Sequence, residues 1–205
     1  TAFPTPTILP NNPFTTTVST TVTVTQPSHN FSSGDAVRFR QVKDEVGGVS
    51  IATLELETTL NGSLTSTATS LTLTDASAFP SSGYIYVQTK PTAAQTRAGK
   101  NTFTQSEVIK YTGKSTNILT GLTRGSSAPT YGLTPQASTA TAHSDLDKVF
   151  GSYSITPINI TVNYPGQPST KTVSNQYTFV LASAAASATT AGGFPSFAGP
   201  VGDRP

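Results

Sequence analysis

Residues 70–87 read SLTLTDASAFPSSGYIYV. Ser70–Thr74 is a short run of Leu and Thr, Tyr84–Val87 a short run of aromatic and β-branched residues, and Asp, Ser, Pro and Gly stand between them. Short runs of this kind, bounded by turn residues, are the spacing of an all-β protein. The pattern repeats outward. Glu107–Tyr111 (EVIKY) and Asn117–Leu122 (NILTGL) are further short strands. Upstream, TTTVSTTVTVT at 15–25 alternates from Val18 through Val22 and Val24, which predicts one half-buried strand. Gln26–Asp35 is a turn cluster. Ala36–Val42 alternates, with Val37, Phe39 and Gln41 on one face and Arg38 and Arg40 on the other. Gly47-Gly48 breaks the chain, and Val49–Leu56 alternates again. Downstream, Tyr153–Val162 and Gln176–Leu181 flank a Pro/Gly/Ser turn. The stretch after Leu181, ASAAASATTAGG, reads as coil, and no strong amphipathic helix stands out.

Composition narrows the chemistry. The chain has 205 residues, of which 11% are charged, against about 25% in ordinary proteins. The net charge is +2, and no basic stretch is dense enough to follow a phosphate backbone, so no nucleic-acid partner is expected. There is no Cys, which excludes disulfides, thiolate metal sites and Cys nucleophiles. No run approaches the roughly 18–20 apolar residues of a membrane span. The N-terminus, Thr1-Ala2-Phe3-Pro4, has no basic region leading into an apolar run, so no signal peptide is read there. A start on Thr fits initiator removal and a processed fragment equally.

Several constellations invite a chemical reading. His143, Asp145 and Asp147 alternate, so on a strand they would share one face. Calcium wants more oxygen ligands than these supply, and a polar strand edge is the plainer reading. His29 sits among Ser28, Ser32, Ser33 and Asp35, but a general base needs a nucleophile and an orienting acid in register. Hydrogen bonding within the turn accounts for it. Glu55 and Glu57 share a strand face, and Asp44/Glu45 is a second acidic pair, yet no Trp is available to stack on a sugar. Glu107 and Arg124 are expected to pair across a hairpin and fix it. No catalytic residue, cofactor or metal is expected.

Two groups of residues carry a resemblance. The first is His29, Gly34, Asp35, Val37 and Phe39, resumed by Phe150-Gly151-Ser152-Tyr153-Ser154-Ile155 and by Tyr177-Thr178-Phe179 before the small-residue coil. It resembles the FCCH-like β-module of phage tail and virion proteins, with Phe150 where that pattern has Asn. The module's relation to ubiquitin-activating enzymes implies no ubiquitin chemistry in a chain without Cys. The second group is Phe79-Pro80, Gly83, Glu107, Ile109, Tyr111, Gly113, Leu119, Gly121, Arg124, Gly125, Ala142 and His143. It is similar to another small β-module of phage tail and baseplate proteins. The basic loop 88–105, with Lys90, Arg97 and Lys100, and the Pro-rich stretch 126–136, with Tyr131, depart from that pattern.

The two patterns are nested. They imply an all-β protein of two small barrel or sandwich domains, one inserted into the other, with extended terminal arms. The boundaries read as an arm over 1–14, an outer domain over 15–58 plus 150–193, an inserted domain over 59–149, and an arm over 194–205. Four prolines in the first fourteen residues forbid regular structure there. That arm is either a loose terminus or a segment that orders on a neighbouring subunit, with Phe3, Ile8, Leu9 and Phe14 as anchors. Phe194 and Phe197 play the same part at the other end. The resemblance implies a non-enzymatic structural component of a tailed bacteriophage virion, in the tail or baseplate, assembling as a homo-oligomer with other virion proteins. A capsid decoration or cement protein is the first alternative. A receptor-binding adhesin using the two divergent loops is the second, with a host surface receptor as partner. No membrane partner is expected.

Overall fold

A computed structural model of the chain describes residues 7–9, 13–17, 19–39, 45–46, 49–50, 54–91, 93–99, 104–127, 138–163 and 170–184. The strands, in chain order, are β1 (Phe14–Thr16), β2 (Thr21–Thr25), β3 (Ala36–Val37), β4 (Glu45–Val46), β5 (Val49–Ser50), β6 (Glu57–Thr59), β7 (Ser70–Thr72), β8 (Gly83–Thr89), β9 (Thr104–Tyr111), β10 (Gly113–Ser115), β11 (Ile118–Thr120), β12 (Lys148–Gly151), β13 (Tyr153–Asn163) and β14 (Thr170–Val180). A short helix, α1 (Ala93–Arg97), lies between β8 and β9. The chain is nearly all β, and its sheets curl into a half-barrel.

The two ends of the chain build one sheet, in the order β1-β2-β14-β13-β3. The middle builds two others, β6-β12-β8-β9 and β10-β11-β7, while β4 and β5 pair with each other. Thr-Val alternation explains β2: Val22 and Val24 are fully buried and the threonines between them face outward. Phe14, Phe39, Tyr153, Ile155, Tyr177 and Phe179 complete that side of the core, with Tyr153 and Phe179 ring centroids 4.5 Å apart. Leu60, Leu73, Ile85, Val87, Ile109 and Leu119 fill the middle. All belong to one hydrophobic cluster.

Gly151 sits where the middle meets the end sheet. A Cβ there would stand 2.9 Å from both Leu56 Cδ1 and Phe79 Cε1, so the close approach needs glycine. Its N–H donates to the Leu56 carbonyl at 2.8 Å.

Several expectations are corrected. The stretch 15–25 is two strands, not one: the chain reverses between β1 and β2, pairing Phe14 with Val24 and Thr16 with Val22. Val18 lies outside the described residues. Phe14 is therefore a core residue of a strand rather than an arm anchor, because its ring packs edge-on against Phe39 at 5.2 Å and Phe179 at 6.4 Å. The strand at 36–42 ends after Val37 among the described residues, although Phe39 is still buried. Arg38 does not simply face solvent: its guanidinium carbon lies 3.8 Å from the Phe150 ring centroid, a cation–π contact. Among the described residues, Val49–Leu56 keeps a strand over β5, Leu54 and Glu55 are helical, and Leu56 turns to a positive φ of 44°.

Candidate functional site

The pattern E-x-I-x-Y in β9 places Glu107, Ile109 and Tyr111 on one face, since side chains alternate along a strand. That face is the interior. Ile109 is fully buried, Tyr111 is 1% exposed, and the Glu107 side chain is fully buried beside them. The register between β8 and β9 shifts just before this point, so that Val87 faces Glu107 while Gln88 faces Gln105. A bulge of this kind re-aims a side chain. A buried carboxylate is costly without partners. Every partner comes from another segment.

Arg124, in the loop after β11, closes a two-pronged bond on Glu107, donating from Nε to Oε1 at 2.8 Å and from Nη2 to Oε2 at 2.7 Å. The same guanidinium donates from Nη2 to the Thr141 carbonyl at 2.7 Å and from Nη1 to the Thr65 carbonyl. Gly125 N–H donates to Glu107 Oε1 at 2.8 Å, and Thr141 N–H to Oε2 at 3.2 Å. His143 Nε2 lies 2.9 Å from Oε2. An ionised carboxylate only accepts, so that nitrogen carries its proton toward Glu107. On the other side of the ring, Nδ1 is 3.6 Å from Asp147 Oδ2. Burial alone pushes the Glu107 carboxyl up. The bonds from His143, Arg124, Gly125 and Thr141 outweigh it and hold the group at about 2.

Asp147 and Asp145 tie the adjoining loop. Asp147 accepts from Lys90 N–H at 3.0 Å and Ser144 N–H at 3.0 Å, and Asp145 accepts from Gly62 N–H at 2.7 Å. His143, Asp145 and Asp147 thus lie in a bridge and a turn, not along one strand face, because Leu146 takes a positive φ of 65°. Among the described residues no group of three His, Asp or Glu side chains is placed to hold a metal ion. The chemistry this arrangement performs is that of a clamp: no substrate reaches a carboxylate whose side chain is fully buried.

His29 is held within its turn. Its Nδ1 accepts from Phe31 N–H at 3.0 Å, and its Nε2 therefore donates to the Gln176 carbonyl, also at 3.0 Å. The ring stacks on Phe31 and meets Tyr177 edge-on, each at 5.2 Å. Asp35 accepts instead from Ser32 N–H at 2.8 Å, so no His–Asp–Ser relay forms. Glu57 pairs with Lys148 at 2.9 Å on the surface.

The residues read as interaction candidates divide. Ile8 is 94% exposed, whereas Leu9 packs on the chain's own core and Phe14 is inside it. Lys90 is tied down: its Nζ donates to the Asp145 carbonyl at 2.6 Å, fixing the start of the basic loop to the clamp. Arg97 is exposed in the last turn of α1. Phe3, Lys100, Tyr131, Phe194 and Phe197 lie outside the described residues. One structural residue had no sequence signal. Lys114, in a Thr/Gly/Ser hairpin, donates from Nζ to the carbonyls of Ala76 at 2.9 Å, Ser77 at 3.3 Å and Phe79 at 2.6 Å, closing the turn before β8. Burial lowers its pKa, opposed by the nearby Asp75.

Among the described residues no helix is long and apolar enough to cross a membrane. No family model, curated protein or solved structure matches the chain.

Proposed function

We propose that this chain is a non-enzymatic structural subunit of a tailed bacteriophage virion, placed in the tail or baseplate, where it works as an oligomer alongside other virion proteins. The observation that carries this reading is the clamp on Glu107. Glu107, Arg124, Gly125 and His143 are members of the phage β-module pattern, and Glu107, Arg124 and His143 are its charged and imidazole side chains. Each is consumed in joining β9 to the loops at 124–125 and 141–143. A motif whose ionisable members hold loops together specifies a framework. His29, the imidazole of the outer pattern, likewise fastens a turn to β14.

The test is the copy number of this chain in purified particles, by quantitative mass spectrometry against the major capsid protein. A low count set by the rotational symmetry of a tail is expected. A count near that of the capsid protein would move the chain to the capsid surface as a cement protein. Absence from the particle would overturn the virion reading altogether.

A further inference from the structure

The apolar phase of β13 switches partway along the strand. Tyr153 and Ile155 face the core, at 1% exposure each. Ile158 lies an odd number of positions further on, so it and Ile160 point out of the opposite face. Ile160 is directly across from Val173 on β14, which therefore shares that face. Ile160 is 54% exposed, and Val180, further back on the same face of β14, is 56% exposed. Among the described residues, β13 and β14 pair only with each other past Asn175, where Ile160 and Val173 lie: β2 pairs with β14 over 176–180, Gln26 N–H reaches the Asn175 carbonyl, and β3 pairs at Tyr153 and Ser154. A two-stranded ribbon is marginal in water by itself, and this one shows its apolar side away from the core.

We infer that this face is the docking site of the chain's own C-terminal segment Phe194-Pro195-Ser196-Phe197. Three observations select that occupant. The first is reach. Leu181 is buried and its N–H is fixed to the Thr20 carbonyl, so the tail departs from the end of β14 next to Val180. Val173 lies about 23 Å back along the strand, and the roughly ten residues from Ala184 to Phe194 span up to about 33 Å when extended. The second is composition. Residues 185–193 are Ala, Ser, Thr and Gly only, a spacer with nothing to bind on its way, followed at once by two aromatics around a proline. In the three-residue repeat that proline favours, Phe194 and Phe197 fall on one side, about 9 Å apart. The third is tethering. A short covalent tether keeps its anchor at an effective concentration near millimolar, which outcompetes a second copy in dilute solution.

The inference does not depend on the virion reading, and the absence of native Cys makes it directly testable. Thr156→Cys is exposed on the same face of β13, two positions before Ile158, and Ser196→Cys lies between the two anchors. The full-length double variant, oxidised at low concentration, is expected to form a disulfide within one chain. A control pairing Ser196→Cys with Thr120→Cys, exposed on the middle sheet, is expected to form it at least about tenfold more slowly. Deleting residues 194–205 is expected to speed amide exchange over 158–160 and 171–174 by about tenfold. Equal crosslinking in test and control, a disulfide found only between two chains, or unchanged exchange in the truncated protein would each overturn the inference.

Discussion

At the scale of single residues, Glu107 carries the most. Glu107→Gln keeps the shape but removes the charge that Arg124 and His143 answer. Breaking a buried pair on one side costs about 3–5 kcal/mol, and urea unfolding of the two proteins should show a loss of that order. The pH dependence has a definite sign. The folded carboxyl sits at about 2, below the ordinary glutamate value of 4.5. Its contribution is therefore complete above about pH 4.5 and fades as the pH falls toward 2. The stability gap between wild type and Glu107→Gln should close over that interval, and a gap constant down to pH 2 would refute the clamp. Gly125 is the second test. It holds φ at 62°, and a Cβ would stand 2.8 Å from the Ser138 carbonyl oxygen. Gly125→Ala should destabilise by about 1–3 kcal/mol through strain, read by urea unfolding. The Glu107–Arg124 pair was legible in the sequence. The pattern E-x-I-x-Y puts the carboxylate on the face of Ile109 and Tyr111, but that this face is the interior was decided by the packing of the other strands. The recruitment of Thr141, His143 and Thr65 was not legible, because those contacts span loops distant in sequence.

At the scale of elements, strands showed themselves and their reversals did not. Alternation marked the residues of β2, β8, β9, β13 and β14. It did not mark the turn between β1 and β2, where the same Thr-Val texture continues on both sides of a chain reversal. Phe14 decides that geometry. Its contacts with Phe39 and Phe179 hold β1 on the sheet edge. Phe14→Ala should cost about 3–4 kcal/mol, and amide exchange at Thr16 and Val22 should rise before exchange at Ile109 does. If both regions respond together, β1 is not an independent edge. The tight pair β10–β11 was read only in its second half, since Gly113-Lys114-Ser115 has no apolar periodicity and is held by register with Thr120, Leu119 and Ile118. The bulge at Asn175, which lets Ile158 face Gln176 while Asn159 faces Ser174, has no signature in sequence either.

At the scale of the molecule, the two chain ends share one sheet and the middle returns close to where it left. β6 and β12 are antiparallel neighbours, with Glu57 opposite Phe150. Opposed residues in such a pair are about 5 Å apart, so the segment between them enters and leaves at one place. The insertion reading predicts that a fragment of residues 54–152, which keeps β6 through β12 and the whole Glu107 clamp, folds alone. A dispersed amide spectrum and a cooperative melt are expected. A collapsed spectrum would mean that the contact of Gly151 with Leu56 and Phe79 joins the halves into a single cooperative unit.

Local pattern alone determined the all-β class, most strand positions, the pairing of Glu107 with Arg124 and the turn role of His29. Each of these follows from the period of a strand or from the short reach of a side chain within its own hairpin. Only the tertiary structure decided that Phe14 and Leu9 face inward, that Arg38 covers Phe150, that Lys90 is tied to Asp145, and that β13 turns an apolar face away from the core. Those outcomes depend on which segments become neighbours after the ends of the chain meet. A one-dimensional pattern tells which residues share a face, but the packing of the other strands sets whether that face is inside or out.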